Sequence, residues 1–537
     1  MRGSGRRTPG DAVAIGEARA AAGDRAARPP VRDIALILVA IKLLAHIVAQ
    51  AVSPYEFHRD ELLYLAMGDH LHLWRMDFPP FIALAANLQR ALFGDGVWAV
   101  RVLPALAGAV LVWLAVDAAA RLGGGRLAAA VAGLSILTAP LVLRTSVLFQ
   151  PVVFDQLWWT LALWALVRRG LDDEPRWWLG VGAALGMGLL TKFSIAFLAL
   201  PLAAATLLTG LRRDLATRWP WLGLAICLLL GHPSLAGQVA LGWPFFTQMA
   251  DLQAVQLERV TWSAFLSEQA LIMGPATLLV VAGVVRLAVG ARSSAERAAG
   301  LAAAVAFLFL LALHGKAYYA GPVYPILIGA GAASLARAHR VGARAKVARL
   351  ALASVGAAQI AYGAAALPLG LPFLGPEPMA RYAARLGITA VTRTNAGTRL
   401  ELPQDYADML GWTAFADTVA RVFNGLPAPD RERATLLGTN YGRAGALDAY
   451  GRRHGLPPAV APVGSYWFWG PGDRSWDVVV VAGGDSADLA SYFKEVRRAA
   501  RITDSRRVPE ERDVTVWVVR APFAPIDTIW PRFRGQN

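Results

Sequence analysis

The chain is expected to fold as an α-helical polytopic membrane protein with a small soluble α/β domain at its C-terminal end. Three observations predict this. Of its 537 residues, 56% are hydrophobic and the mean hydropathy is +0.42, which is too apolar for several soluble domains of ordinary composition. Apolar runs near the length of a bilayer crossing, roughly 20 residues, recur through the first two thirds. From about residue 375 those runs shorten and turn residues appear, among them Pro376, Pro378, Pro403, Pro427 and Pro457-Pro458.

The N-terminal stretch 1–32 carries Arg2, Arg6, Arg7, Arg19, Arg25, Arg28 and Arg32 among Ala and Gly, and reads as a disordered cytoplasmic tail. Its arginines fit a topological signal better than a nucleic-acid contact, so no nucleic-acid partner is expected. Segment 33–52 begins too late and runs too long for a cleaved leader, and reads as an anchor that stays. The apolar runs then predict eleven helices, over 33–52, 97–119, 127–143, 150–167, 177–190, 192–210, 219–236, 268–289, 298–313, 319–336 and 350–368. The fifth and sixth form one long run divided by Gly186, Gly188 and Thr191-Lys192. Positive charge sets the orientation. With the tail inside, every inner loop is basic: Arg121 and Arg126; Arg168, Arg169 and Arg176; Arg212, Arg213 and Arg218; Arg286, Arg292 and Arg297; and Arg337, Arg340, Arg344, Lys346 and Arg349. The outer loops hold fewer, and the odd number of crossings places residues 375–537 outside the cytoplasm. In that region Arg431–Asn440, Trp476–Ala482 and Val514–Arg520 are predicted as strands, and Ala444–His454 and Ser486–Ala500 as helices. Lone Cys227 excludes an intramolecular disulfide and any cysteine-based metal site.

The unusual polar residues gather on the outer face. The loop 53–96 opens with His58-Arg59-Asp60-Glu61, and the spacing of its Leu and Trp residues predicts two interfacial amphipathic helices, over Asp60–Asp77 and Phe81–Leu92. Further along come Arg144 and Gln150, Asp155 just inside the fourth span, Lys192, His232, Arg259, and His314-Gly315-Lys316-Ala317-Tyr318-Tyr319. Carboxylates can serve as general bases or metal ligands. Arg grips phosphate as a fork and Lys as a point charge. Such a set at a membrane surface points to a lipid-phosphate substrate. A transporter or flippase for a lipid-linked or anionic substrate is the alternative, but it predicts charges near the bilayer midplane and repeated halves.

At these residues the chain resembles the GT-C glycosyltransferases, in the family of the dolichyl-phosphate-mannose–protein mannosyltransferases and the bacterial lipid A aminoarabinose transferase. The resemblance runs through Asp60-Glu61, MDFPP (76–80), RTSVLFQPVVFDQLWW (144–159), TKFS (191–194) and HGKAYYAGPVYP (314–325), and more faintly through NYGRAGALDAYG (440–451) and SYWFWGP (465–471). It implies a GT-C domain over 33–370 and an inverting transfer of a sugar from a polyprenyl-phosphate donor to an extracytoplasmic acceptor: a glycolipid, a protein or a wall polysaccharide. Asp60 would be the general base, with Glu61 orienting it or the acceptor, and Asp155 a second active-site carboxylate. Arg59, Arg144, Lys192, Arg259, His314, Lys316, Tyr318 and Tyr319 would bind substrate, the donor phosphate above all. Asp77 matches an acid at a metal site in the aminoarabinose transferase, with His232 as its candidate second ligand. A divalent metal ion is therefore the one cofactor considered, and no nucleotide cofactor is expected. This chain has Asp77-Phe78 where that enzyme has Glu-Lys. The implied location is a bacterial inner membrane.

Overall fold

A computed structural model describes residues 31–337, 343–394 and 397–533. The basic tail lies outside them except for its last two residues, as does Arg340 of the last inner loop. Helix runs through the predicted apolar segments, and among the described residues seven helices are individually long and apolar enough to cross a membrane, including Arg32–Ala51, Val97–Arg121, Trp219–Ala240 and Ser294–Ala312. The protein is a multi-pass membrane protein. Its first helix shows how apolar and polar faces divide: Leu36, Ile37, Leu44 and Ile47 face outward, while Lys42 and His46 are buried.

Two breaks in the apolar runs position functional groups. The predicted third span is split into Gly125–Thr138 and Pro140–Thr145, with Ala139 extended between them (φ −63°, ψ 126°). Proline lacks an N–H and disfavours helix at the preceding residue, so it starts a new helix more readily than it continues one. The second piece carries Arg144 in its last turn. The other break is at Lys192, extended (φ −163°, ψ 134°) between Trp177–Thr191 and the helical turn Phe193–Ile195. Helix Trp177–Thr191 lies so close to Trp219–Ala240 that a Cβ on Gly182 would sit 2.0 Å from the carbonyl oxygen of Gly223. Small residues permit this approach of backbones within a membrane.

Both helices predicted in the first long loop are present, at Arg59–Asp69 and Phe81–Phe93. The first stops eight residues short of the Asp60–Asp77 prediction, at His70, whose ring stacks 4.1 Å from Trp469 of the C-terminal domain. The apolar spacing of Leu71 and Trp74 continues past that point, but on a turn rather than a helix.

The C-terminal domain contains a five-stranded sheet of β1 (Ala434–Gly438), β2 (Ala459–Val460), β3 (Ser475–Ala482), β4 (Phe493–Thr503) and β5 (Asp513–Pro522), in the order β2-β1-β3-β5-β4. The first three are parallel, and β5 runs antiparallel to β3 and β4. Strand β3 is the buried centre, as its unbroken valines require. Two expectations are corrected here. Ser486–Ala500 is helical only over Ser486–Ala490; after a turn at Ser491-Tyr492 the segment from Phe493 belongs to β4. Its many Arg, Lys and Glu residues look helical, but they protect the exposed edge of a sheet, where charge discourages pairing with other chains. Arg431–Asn440 begins with the last turn of helix Ala428–Arg433 before becoming β1.

Helix Tyr441–Tyr450 joins this sheet to helix Arg59–Asp69, with Gly445 so close that a Cβ would lie 2.9 Å from Leu62. Near its end Asp448 accepts hydrogen bonds from Tyr466 OH (2.6 Å) and the Ala459 N–H (2.8 Å). Burial pushes the Asp448 carboxyl up to about 6, against about 3.9 in an unfolded chain. Between those values the folded state retains a proton that the unfolded state has lost, so stability falls as pH rises through the window. Asp448→Asn should flatten that fall. Melting temperatures of both proteins from pH 4 to pH 7 would check it, and a wild type that gains on the variant over the window would refute it.

Candidate active site

Asp60 and Glu61 are adjacent in the first turn of helix Arg59–Asp69, yet they have opposite environments. His58 caps the helix: its Nδ1 accepts the Asp60 N–H (3.1 Å), and Glu61 Oε2 accepts the His58 N–H (2.8 Å). This reciprocal cap fixes both carboxylates relative to the backbone. Glu61 is fully buried and also receives Arg101 Nε (3.0 Å), Arg101 Nη2 (2.7 Å) and the Phe149 N–H (2.8 Å). Burial raises its carboxyl, but the Arg101 guanidinium and the backbone donors more than reverse that and hold it below the usual range. Asp60 is 31% exposed. It accepts Gln150 Nε2 (3.1 Å) on one oxygen and Tyr441 OH (3.0 Å) on the other, and so keeps lone pairs toward open space. One acid is a sealed strut and its neighbour is available for chemistry.

The C-terminal domain contributes a second group of charges that the sequence did not single out. Asp405 and Asp408 both approach His58 Nε2 at 3.7 Å. Asp408 also lies 3.6 Å from Arg59 Nε, while Arg59 packs over Tyr441 and reaches Glu510 (3.8 Å). Arg59 therefore joins helix Arg59–Asp69 to the C-terminal domain. Asp405 accepts Arg144 Nε at 2.6 Å, and Arg144 lies over the Tyr406 ring, 4.8 Å from its centre. Desolvation raises the Asp405 carboxyl, but Arg144 and His58 outweigh it and hold it far below the ordinary range. Asp408, with weaker partners, is pushed up by burial. Both Nη nitrogens of Arg144 are buried without a hydrogen-bond partner. An unsatisfied buried guanidinium edge is costly, and a bidentate oxyanion would satisfy it.

The remaining cations stand nearby. Lys192 Nζ lies over the Tyr319 ring at 4.5 Å and the Tyr318 ring at 5.7 Å. Lys316 Nζ donates to Gln256 (2.5 Å), and burial pushes its ammonium down. Asp155 accepts Trp159 Nε1 (3.0 Å) and Ser194 Oγ (2.8 Å), and Ser194 is two residues beyond Lys192. An apolar groove of about 390 Å³ runs between helix Phe81–Phe93 and the spans, lined by Phe81, Leu88, Leu103, Phe154, Trp158 and Met187 among others. Trp158 donates to Thr191 Oγ1 (2.9 Å), so the groove borders the residue before Lys192.

With ArnT from Cupriavidus metallidurans bound to undecaprenyl phosphate, the chain aligns over 90% of its length and 97% of ArnT, at 18% identity and a TM-score of 0.58. With the apo state of ArnT the values are 90%, 97%, 19% and 0.59. This is the GT-C fold. Arabinofuranosyltransferase AftD from Mycobacteria aligns at 16% identity over 92% of this chain and 40% of its own, with a TM-score of 0.46, too low to carry a shared fold. Residues 77–236 match the family model for dolichyl-phosphate-mannose-protein mannosyltransferase. No curated protein matches the chain.

Within the GT-C scaffold, Asp60, Glu61, Arg59 and Arg144 come together through shared partners, and Lys192, Tyr318 and Tyr319 form a second group. Two further residues of the predicted set have contacts of their own. His314 Nδ1 is 2.5 Å from the Val260 carbonyl, and Arg259 approaches the backbone at Gly397. The two residues expected to hold a metal have these partners. Asp77 is buried and accepts Ser465 Oγ (2.8 Å), whereas His232 Nδ1 pairs with the Leu229 carbonyl (2.7 Å) and its ring lies on Trp74. Among the described residues no cluster of three or more His, Cys, Asp or Glu forms a metal-binding set.

Proposed function

We propose that the protein is a membrane glycosyltransferase that moves a sugar from a polyprenyl-phosphate donor to a hydroxyl of an extracytoplasmic acceptor. The observation that carries this reading is the pairing of an open carboxylate, Asp60, with an unsatisfied Arg144 fork, both tied to the same His58–Asp405 cluster. The apolar groove bordering Thr191 suits a polyprenyl chain, and ArnT, which shares the fold, is known bound to undecaprenyl phosphate. The N-terminus is assigned to the cytoplasm and the C-terminal domain to the far side of a bacterial inner membrane, on the asymmetry of loop charge.

In this mechanism Asp60 takes the proton of the acceptor hydroxyl. The oxygen attacks the anomeric carbon from the face opposite the phosphate, a new glycosidic bond forms, and the carbon–oxygen bond to phosphate breaks. Its electron pair leaves with the polyprenyl phosphate, and the configuration inverts. Negative charge grows on the leaving phosphate, where Arg144, Lys192 and Lys316 stabilise it more in the transition state than in the donor. Tyr318 and Tyr319 hold Lys192 through their ring faces. Glu61 acts through position, keeping Arg101, His58 and Phe149 in place.

The test is single-turnover sugar release from a panel of radiolabelled polyprenyl-phosphate sugars, with Lys192→Met beside the wild type. One donor should turn over, and Lys192→Met should lower its rate by about a hundredfold, the usual loss of one charge-stabilising contact. Absence of turnover with every donor, together with movement of a lipid-linked substrate across liposomes, would replace this reading with the transporter.

A further inference from the structure

Lys42 stands near the middle of the first spanning helix, about 15 Å from either end at 1.5 Å per residue. It is fully buried, and the helix turns its apolar side outward around it. An amine at this depth is costly, so its retention calls for a partner. The partner is the Val142 carbonyl, which accepts Lys42 Nζ at 3.0 Å. Val142 belongs to the short helix Pro140–Thr145, two residues before Arg144. The same carbonyl accepts Ser146 Oγ (2.5 Å) and the Ser146 N–H (3.3 Å), so three donors converge where the helix ends. A Lys side chain can add a hydrogen bond to a carbonyl in the last turn of a helix, and here it adds the third. Gly108 makes the space: a Cβ there would lie 2.1 Å from Ser146 Oγ and 3.1 Å from Lys42 Cε.

The chain that leaves this point supplies much of the site. Arg144 closes the short helix, and Phe149 and Gln150 follow to bind Glu61 and Asp60. We infer that Lys42 is a positioning residue for the phosphate fork: by fixing the C-terminal turn of Pro140–Thr145 from within the membrane, it sets where the free edge of Arg144 stands. This rests on the reading of Arg144 as a phosphate ligand. Lys42 touches no substrate and acts through the short helix.

The test measures undecaprenyl phosphate binding to the purified full chain, for the wild type, Lys42→Met, Lys42→Arg, Arg144→Met and the Lys42→Met/Arg144→Met pair. Lys42→Met fills the same space without a donor and should weaken binding about tenfold, as expected for loss of a charge-assisted hydrogen bond. Lys42→Arg restores the donor and should recover most of that loss. The double variant should bind no more weakly than Arg144→Met alone, because the two residues act on one contact. A merely structural role predicts additive losses and overturns the inference. If Arg144→Met is weakened and Lys42→Met is not, the inference falls and the phosphate reading stands. If Arg144→Met binds like the wild type, both fall. Should Lys42→Met fail to fold, Gly108→Ala disturbs the same seat with the amine intact; the same tenfold loss supports the inference, and unchanged binding overturns it.

Discussion

Asp60→Asn should slow sugar transfer by about a thousandfold, within the range for loss of a general base, while leaving undecaprenyl phosphate affinity within about twofold of the wild type, since that loss falls on proton transfer. The substitution preserves shape. Asn can still accept from Gln150 through its oxygen, and the Tyr441 hydroxyl, which donates to Asp60, can accept from an amide instead. What disappears is the ability to take the acceptor's proton. The separation of rate from binding follows from the proposed roles, in which Asp60 serves the acceptor while Arg144 and Lys192 serve the phosphate. Single-turnover kinetics beside an equilibrium binding assay would read both quantities. Full activity in Asp60→Asn would move the base to Asp155, which the Ser194 hydrogen bond places beside the Lys192 group.

Arg101→Met should destabilise the protein by about 3–5 kcal/mol, the cost of leaving a buried charge without its partner. Arg101 gives Glu61 two hydrogen bonds and also donates to the Gln50 side chain and the Glu56 carbonyl. Methionine fills much of the same volume, so the loss is electrostatic rather than a cavity. Removing both charges, as Glu61→Met/Arg101→Met, should restore a large part of the stability, because no unpaired ion remains. The melting temperature of the purified protein would compare the three. A single variant that melts with the wild type would mean that Glu61 gains water or sheds its charge at little cost, and that the pair is not the strut described here.

The apolar architecture was legible in the sequence because a bilayer imposes a simple rule: about 20 apolar residues, then charge. The series of apolar helices follows from it, seven of them individually long enough to cross a membrane. The rest was hidden for identifiable reasons. Arg101 reads as an ordinary interfacial arginine, and only the folded chain shows it sealed against Glu61. Asp405 and Asp408 sit in QDYAD, a stretch with no catalytic pattern, and take their meaning from His58 and Arg144, hundreds of residues earlier. Two acids this close to a buried aromatic such as Trp412 were the available signal.

Asp60 is held by Tyr441, which follows it by 381 residues. Every membrane helix has left the ribosome before that tyrosine is made. During synthesis the growing polypeptide therefore holds its donor-binding surface in the bilayer while the carboxylate that would use it lacks one of its two ligands. On the proposed mechanism, a chain truncated before Tyr441 would occupy the membrane with its base incompletely held. On that mechanism, completion of the polypeptide would act as its own licence.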